Sequence, residues 1–176
     1  MLKFKSLHPT LQIIIKTMTN IIATKIASPI GSIFASATKH GICLLDFNEI
    51  LETDGITYGS NKHLNKLKKQ LTEYFAGNRK HFDIPLVIAG TKFQLSAWQA
   101  LQEIPFGETC SYQEQAITIG NPKAVRAVAN ANANNKISII IPCHRVIAKT
   151  GKLAGYGGGV WRKQYLLDLE KTCLQT

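Results

Sequence analysis

No two of the four cysteines form a C-x-x-C pair: Cys43, Cys110, Cys143 and Cys173 are scattered, and so are the five histidines. Neither a zinc site nor a redox dithiol has the spacing it needs, so no metal or cofactor is expected and each cysteine is read as a free thiol. Free thiols point to a reducing compartment, hence to the cytoplasm. Long apolar runs are lacking as well. Lys3 and Lys5 precede an apolar cluster at residues 11–15, but it is too short and too polar at its edges for a signal peptide or a membrane span. Acidic residues are scarce, 11 against 21 Lys and Arg, and none falls between residues 121 and 163. That stretch holds Lys123, Arg126, Lys136, Arg145, Lys149, Lys152, Arg162 and Lys163. A net charge of +10 distributed in this way suits a polyanionic partner such as nucleic acid or an acidic membrane surface. The other lysine cluster, Lys62, Lys66, Lys68 and Lys69, reads more simply as a solvated helix face.

What is present is a globular composition. With 176 residues, 45% hydrophobic and 18% charged, the chain fits one ordinary domain or two small ones. Met18 stands just before the first strand-like pattern, so residues 1–17 are taken as an N-terminal extension. Residues 21–47 read as strand, turn, strand, turn, strand, with Ser28-Pro29-Ile30-Gly31 and Lys39-His40-Gly41 as the turns and Cys43 in the core. Leu64, Leu67, Leu71, Tyr74 and Phe75 then recur at helical spacing, and Gly77 is the stop. This predicts a small α/β domain over residues 18–90.

A second domain, residues 91–176, opens with a helix carrying Phe93, Ala97, Trp98 and Leu101 and ending before Pro105 and Gly107. Ser111-Tyr112-Gln113-Glu114 has the form of a capping box, with Tyr112 in the first turn of a short helix. Gly120 stops that helix, Asn121 is expected to cap the next and Pro122 to occupy its first position. Two helices joined by a glycine-containing turn make a helix-turn-helix candidate. The second is almost entirely Ala, Asn and Val with the single Arg126, so it has few groups for bidentate reading of base edges. Small side chains instead permit close approach to a narrow groove, with Arg126 as an inserted or phosphate-binding arm. A plain buried Ala-rich helix is the bland alternative.

The apolar run at residues 137–141 reads as a buried strand that delivers Pro142-Cys143-His144-Arg145-Val146. A cysteine ending such a strand is by default an inert core residue. Pro142 halts the ladder, however, and His144 and Arg145 are poor core residues that can lower a thiol pKa. Neighbours on an extended strand face opposite ways, so contact between Cys143 and His144 needs a bend after Pro142 or an intervening water. Glu170 shares a helix face with Leu166 and Leu167 and is the candidate to orient the imidazole.

Ile141-Pro142-Cys143-His144-Arg145-Val146-Ile147 resembles the active-site signature of the O6-alkylguanine-DNA alkyltransferases, the methylated-DNA–protein-cysteine methyltransferases, and among them the zinc-free bacterial members. Thr91-Lys92-Phe93-Gln94, Trp98, Ile104-Pro105-Phe106-Gly107, Ser111-Tyr112, Gly120-Asn121-Pro122-Lys123, Arg126-Ala127-Val128, Asn135, Gly155-Tyr156 and residues 163–170 stand in family order. The resemblance implies a ribonuclease H-like α/β N-terminal domain, a mainly α winged helix-turn-helix C-terminal domain and no cofactor. It implies a monomer that acts on double-stranded DNA containing O6-alkylguanine, and also on O4-alkylthymine, by one irreversible transfer to Cys143. By the same resemblance His144 and Glu170 form the activating relay, Tyr112 rotates the phosphate and donates a proton, and Asn135 is a hinge. Arg126, Lys123, Ala127, Arg145 and Tyr112 contact DNA, while Tyr156, Gly157, Gly158 and Val146 wall the base pocket. The chain departs from the pattern at Gly157, at Lys136 where a proline is common, and at Asn132 where an apolar pocket residue can stand.

Two other readings use the same residues. A Cys-His-Glu hydrolase would need an oxyanion site and no basic helix-turn-helix. A damage-sensing DNA-binding module would need no cysteine at position 143.

Overall fold

The computed structural model describes residues 20–50, 55–153 and 155–175, and the expected extension at 1–17 lies outside them. Strands β1 (Ile21–Ser28), β2 (Gly31–Ala37) and β3 (Ile42–Asp46) form an antiparallel meander, and β4 (Ile56–Tyr58) adds parallel to β1, giving the order β3-β2-β1-β4. The first hairpin closes where expected. Ser28 Oγ donates to the Gly31 carbonyl at 2.6 Å and accepts from Ile30 N, and Gly31 sits at φ +92°, a conformation that glycine adopts without steric cost. Strand β4 is three residues long and carries too little alternation to be legible in the sequence.

Helix α1 (Lys62–Phe75) is capped by Asn61, whose side chain accepts from His63 N and Leu64 N. It lays Leu64, Leu67, Leu71 and Tyr74 on the sheet, and these side chains are at most 2% exposed. The second half contains α2 (Lys92–Gln102), β5 (Cys110–Ser111), α3 (Tyr112–Thr118), α4 (Val125–Ala133), β6 (Val146–Ile147) and α5 (Val160–Gln175). Both Thr91 and Ser111 close complete capping boxes, with Gln94 and Glu114 as their partners. Strands β5 and β6 pair in parallel through Cys110–Val146 and Ser111–Ile147.

Two sequence expectations fail. The run at 137–141 is buried but is not a strand: Ile139 lies at φ +71° and the segment folds as tight turns. It is pinned to β3 through Leu45 N to Lys136 O and Ser138 N to Leu45 O, each 2.8 Å. An unbroken apolar run reports burial, not extension, and here burial comes from insertion between the two halves. Helix α4 begins at Val125 with no side-chain cap, three residues after Pro122. The Asn121 carbonyl instead accepts from Ala124 N and closes a turn.

Candidate active site

Pro142 ends the buried segment, and residues Cys143–Arg145 make one turn of 3-10 helix. Successive side chains on such a turn point about 120° apart, so neighbours in sequence serve different partners. Cys143 faces a cavity of about 450 Å³ lined by Tyr112, Ala129, Asn132, Ala133, Gly155, Tyr156 and Gly157. Its Sγ receives a hydrogen bond from Asn135 Nδ2 at 3.2 Å. The same amide donates to the Ile141 carbonyl and its Oδ1 accepts from Ile137 N, so Asn135 ties the end of α4 to the cysteine turn.

His144 and Arg145 turn inward to Glu170, which is wholly buried on α5. Its carboxylate accepts five hydrogen bonds: Tyr74 Oη at 2.7 Å, His144 Nε2 at 2.9 Å, Arg145 Nε at 2.9 Å, Arg145 Nη2 at 3.0 Å and Gly107 N at 3.0 Å. Burial pushes the Glu170 pKa up, but the bonds from His144 and Arg145 outweigh it and hold the carboxyl well below its usual range. Burial lowers the His144 pKa against the pull of Glu170, so the imidazole is neutral near pH 7. An ionised carboxylate only accepts, which makes His144 Nε2 the donor and leaves the lone pair on Nδ1. Among the described residues that buried Nδ1 has no hydrogen-bond partner. Nδ1 is therefore the basic nitrogen of the ring.

The thiol needs such a base. Burial raises the Cys143 pKa, and the Asn135 hydrogen bond and the nearby Lys163 offset this only in part. Lys163 itself is fully buried, seven residues before Glu170 on the same stripe of α5, and its Nζ donates to the Val146 carbonyl at 2.6 Å. Burial raises the phenols of Tyr112 and Tyr156 as well, with Cys143 adding to both, so each remains a proton donor.

The remaining expected residues divide. Lys123, Arg126 and Ala127 lie on the exposed side of the helix-turn-helix, whose inner side is fixed by Val128, Ala131 and a reciprocal amide pair, Asn132 Nδ2 to Gln115 Oε1 at 2.7 Å and Gln115 Nε2 to Asn132 Oδ1 at 3.1 Å. Asn132 is therefore both a cavity wall and a bolt between α3 and α4. Arg145, expected to contact DNA, is turned inward instead: its guanidinium is held by Glu170 and by the Ile104 carbonyl at 2.7 Å, with the side chain 10% exposed. Val146 is buried away from the cavity and serves through its carbonyl. Gly158 lies behind the cavity wall against Phe47, whereas a Cβ on Gly157 would meet nothing within 4 Å, so the space there tolerates a larger residue. Two participants had not been expected. Lys163 could have been found from its helical spacing to Leu166 and Glu170, but Tyr74 contributes from 96 residues away and left no local signal.

A buried thiol one residue from an imidazole–carboxylate pair, facing a cavity walled by helix-turn-helix residues, defines the class: a helix-turn-helix protein with a cysteine site. Comparison with known proteins narrows this. Residues 92–172 match the family model described as 6-O-methylguanine DNA methyltransferase, DNA binding domain, and residues 21–88 match that family's ribonuclease-like domain. A methylated-DNA–protein-cysteine methyltransferase of Methanosarcina acetivorans is 46% identical over 149 residues, 83% of this chain and 96% of its own. One from Mycobacterium bovis is 57% identical over 103 residues, 58% of this chain and 62% of its own. The Mycobacterium tuberculosis protein OGT in complex with DNA superposes with a TM-score of 0.81 at 44% identity, covering 86% of this chain and 94% of that one. The chain belongs to the 6-O-methylguanine DNA methyltransferase family.

Proposed function

We propose that this chain repairs DNA by direct reversal, taking the alkyl group of O6-alkylguanine onto Cys143. The observation that carries the reading is a thiol that faces a cavity walled by helix-turn-helix residues, on the same turn as an imidazole bonded to the buried Glu170 carboxylate. The target oxygen lies in the base stack, so the nucleotide must be extruded into that cavity, with Arg126 occupying the space left behind. Cys143 Sγ then attacks the alkyl carbon, the carbon–oxygen bond breaks, and the thiol proton passes to His144 Nδ1 through a water. The imidazolium that forms is stabilised by Glu170. Tyr112, on the cavity wall, donates a proton to the departing guanine. Asn135 and Lys163 support the sulfur as its charge develops.

A thioether has no good leaving group. Each molecule reacts once. A reducing cytoplasmic setting keeps the thiol available. Incubation with excess duplex carrying labelled O6-methylguanine gives a burst of at most one methyl per chain, and peptide mass mapping places it on the Cys143 peptide. Continued product release beyond that burst overturns the reading in favour of a turnover hydrolase.

A further inference from the structure

The base pocket is walled on one side by the glycine-rich loop at residues 155–159, a segment whose sequence supplies almost no side chains to hold it in place. What holds it comes from the other domain. Asp46 Oδ1, at the end of β3, accepts from Phe47 N at 2.7 Å, Asn48 N at 2.9 Å and Asn48 Nδ2 at 2.8 Å, fixing the chain so that the Phe47 ring lies over the loop. The ring centre is 5.9 Å from that of Tyr156, and a Cβ on Gly158 would clash with Phe47 Cδ2 and Cε2. Only glycine permits that contact.

Arg162 closes the arrangement from the first turn of α5. Its guanidinium lies between two aromatic faces, 4.8 Å from the Phe47 centroid and 4.4 Å from that of Trp161. Its Nη1 donates to the Gly158 carbonyl at 2.6 Å and its Nε to the Ile30 carbonyl at 2.8 Å, so one side chain binds the pocket loop and the β1–β2 turn at once. The planar, multi-donor guanidinium is needed for this; a lysine cannot stack and fork simultaneously.

We propose that Phe47 and Arg162 are positioning residues which clamp the pocket loop to the sheet domain and so hold Tyr156 at the cavity wall before a base arrives. The proposal rests on the alkyl-transfer reading above. Its physical content is preorganisation: a wall already in place costs nothing to order when the base enters. A flipped nucleotide is anchored by the rest of the duplex, whereas a free base depends on the pocket alone. Loosening the wall therefore penalises a free base more.

The test measures second-order rates with O6-benzylguanine as a free base and with O6-methylguanine in duplex DNA. Phe47→Ala is expected to slow the free-base reaction by about tenfold or more and the duplex reaction by less than about threefold. Phe47→Tyr, which keeps the ring, restores both rates. Arg162→Lys follows the Phe47→Ala pattern and serves in its place if Phe47→Ala does not fold. Arg126→Ala shows the opposite bias, losing duplex activity and sparing the free base. Equal losses on the two substrates, or no loss on either, overturn the clamp. Absence of transfer by the unaltered protein would instead overturn the function, so the two failures are distinct.

Discussion

The two halves of the molecule bury different chemistry. In the sheet domain the fully enclosed side chains are mostly aliphatic, among them Ile30, Ile33, Ile42, Leu45, Leu64, Leu67 and Leu71, and buried polar groups such as His63 and Gln70 bond to backbone atoms. In the C-terminal domain the buried set includes Gln115, Asn132, Asn135, His144, Arg145, Lys163 and Glu170, and it contains two side-chain clusters, Gln115 with Asn132 and His144 and Arg145 with Glu170. An aliphatic core tolerates exchanges that keep its volume, because no partner is left unpaired. A polar network fails when any member is removed, because the others stay buried without it. The first half is a platform and the second an instrument.

Cys143→Ser is the sharpest division between chemistry and scaffold. It is expected to abolish methyl transfer while DNA affinity and melting temperature stay close to the parent, measured by label incorporation, titration with duplex and thermal melts. Loss of DNA binding along with transfer would show that the nucleophile also builds the DNA-binding face.

Glu170→Gln keeps the shape and removes the charge, leaving Arg145 buried without its counter-ion. A loss of about 3–5 kcal/mol in folding stability is expected, together with slower transfer. The folded pKa of Glu170 lies below its ordinary 4.5 and that of His144 below its ordinary 6.5. In both cases the unfolded chain binds more protons, so stability falls as pH drops, from about 6.5 downward through His144 and from about 4.5 downward through Glu170. Melts between pH 3 and 7 should show this slope in the parent, and its lower part should flatten in Glu170→Gln. An unchanged slope would mean that another carboxylate carries it.

Tyr74→Phe crosses the divide, removing a hydroxyl that the sheet domain gives to the network. A cost of about 1–3 kcal/mol is expected, with a measurable fall in transfer rate. An effect on stability with none on rate would reduce Tyr74 to a packing residue. Leu67→Met, by contrast, stays within the aliphatic core and should cost under about 1.5 kcal/mol in chemical denaturation and leave the transfer rate alone.

The same contrast governs what could be read without coordinates. Hairpin turns, the α1 stripe and the Ser111 capping box are set by residues within a few positions of one another, and their patterns were legible; the Thr91 box is as local but went unread. The Pro142-Cys143-His144 signature and Glu170 were legible because unusual residue types occupy apolar surroundings. The inward turn of Arg145 was not, because a cation in an acid-free stretch reads as a surface group until its distant carboxylate is located. Residues 137–141 misled for a related reason, since burial between domains and burial in a sheet leave the same run of Ile. Tyr74, Phe47 and Arg162 act across the domain boundary, and periodicity within one segment carries no trace of such pairings.

One consequence follows from the elevated pKa of the Cys143 thiol. Oxidants and stray electrophiles attack the thiolate, and this thiol is mostly protonated and belongs to a buried residue until a base fills the cavity beside it. For a protein that can act only once, the time it survives unreacted matters as much as the speed with which it reacts. The burial that makes the thiol sluggish at rest also gives it a long shelf life.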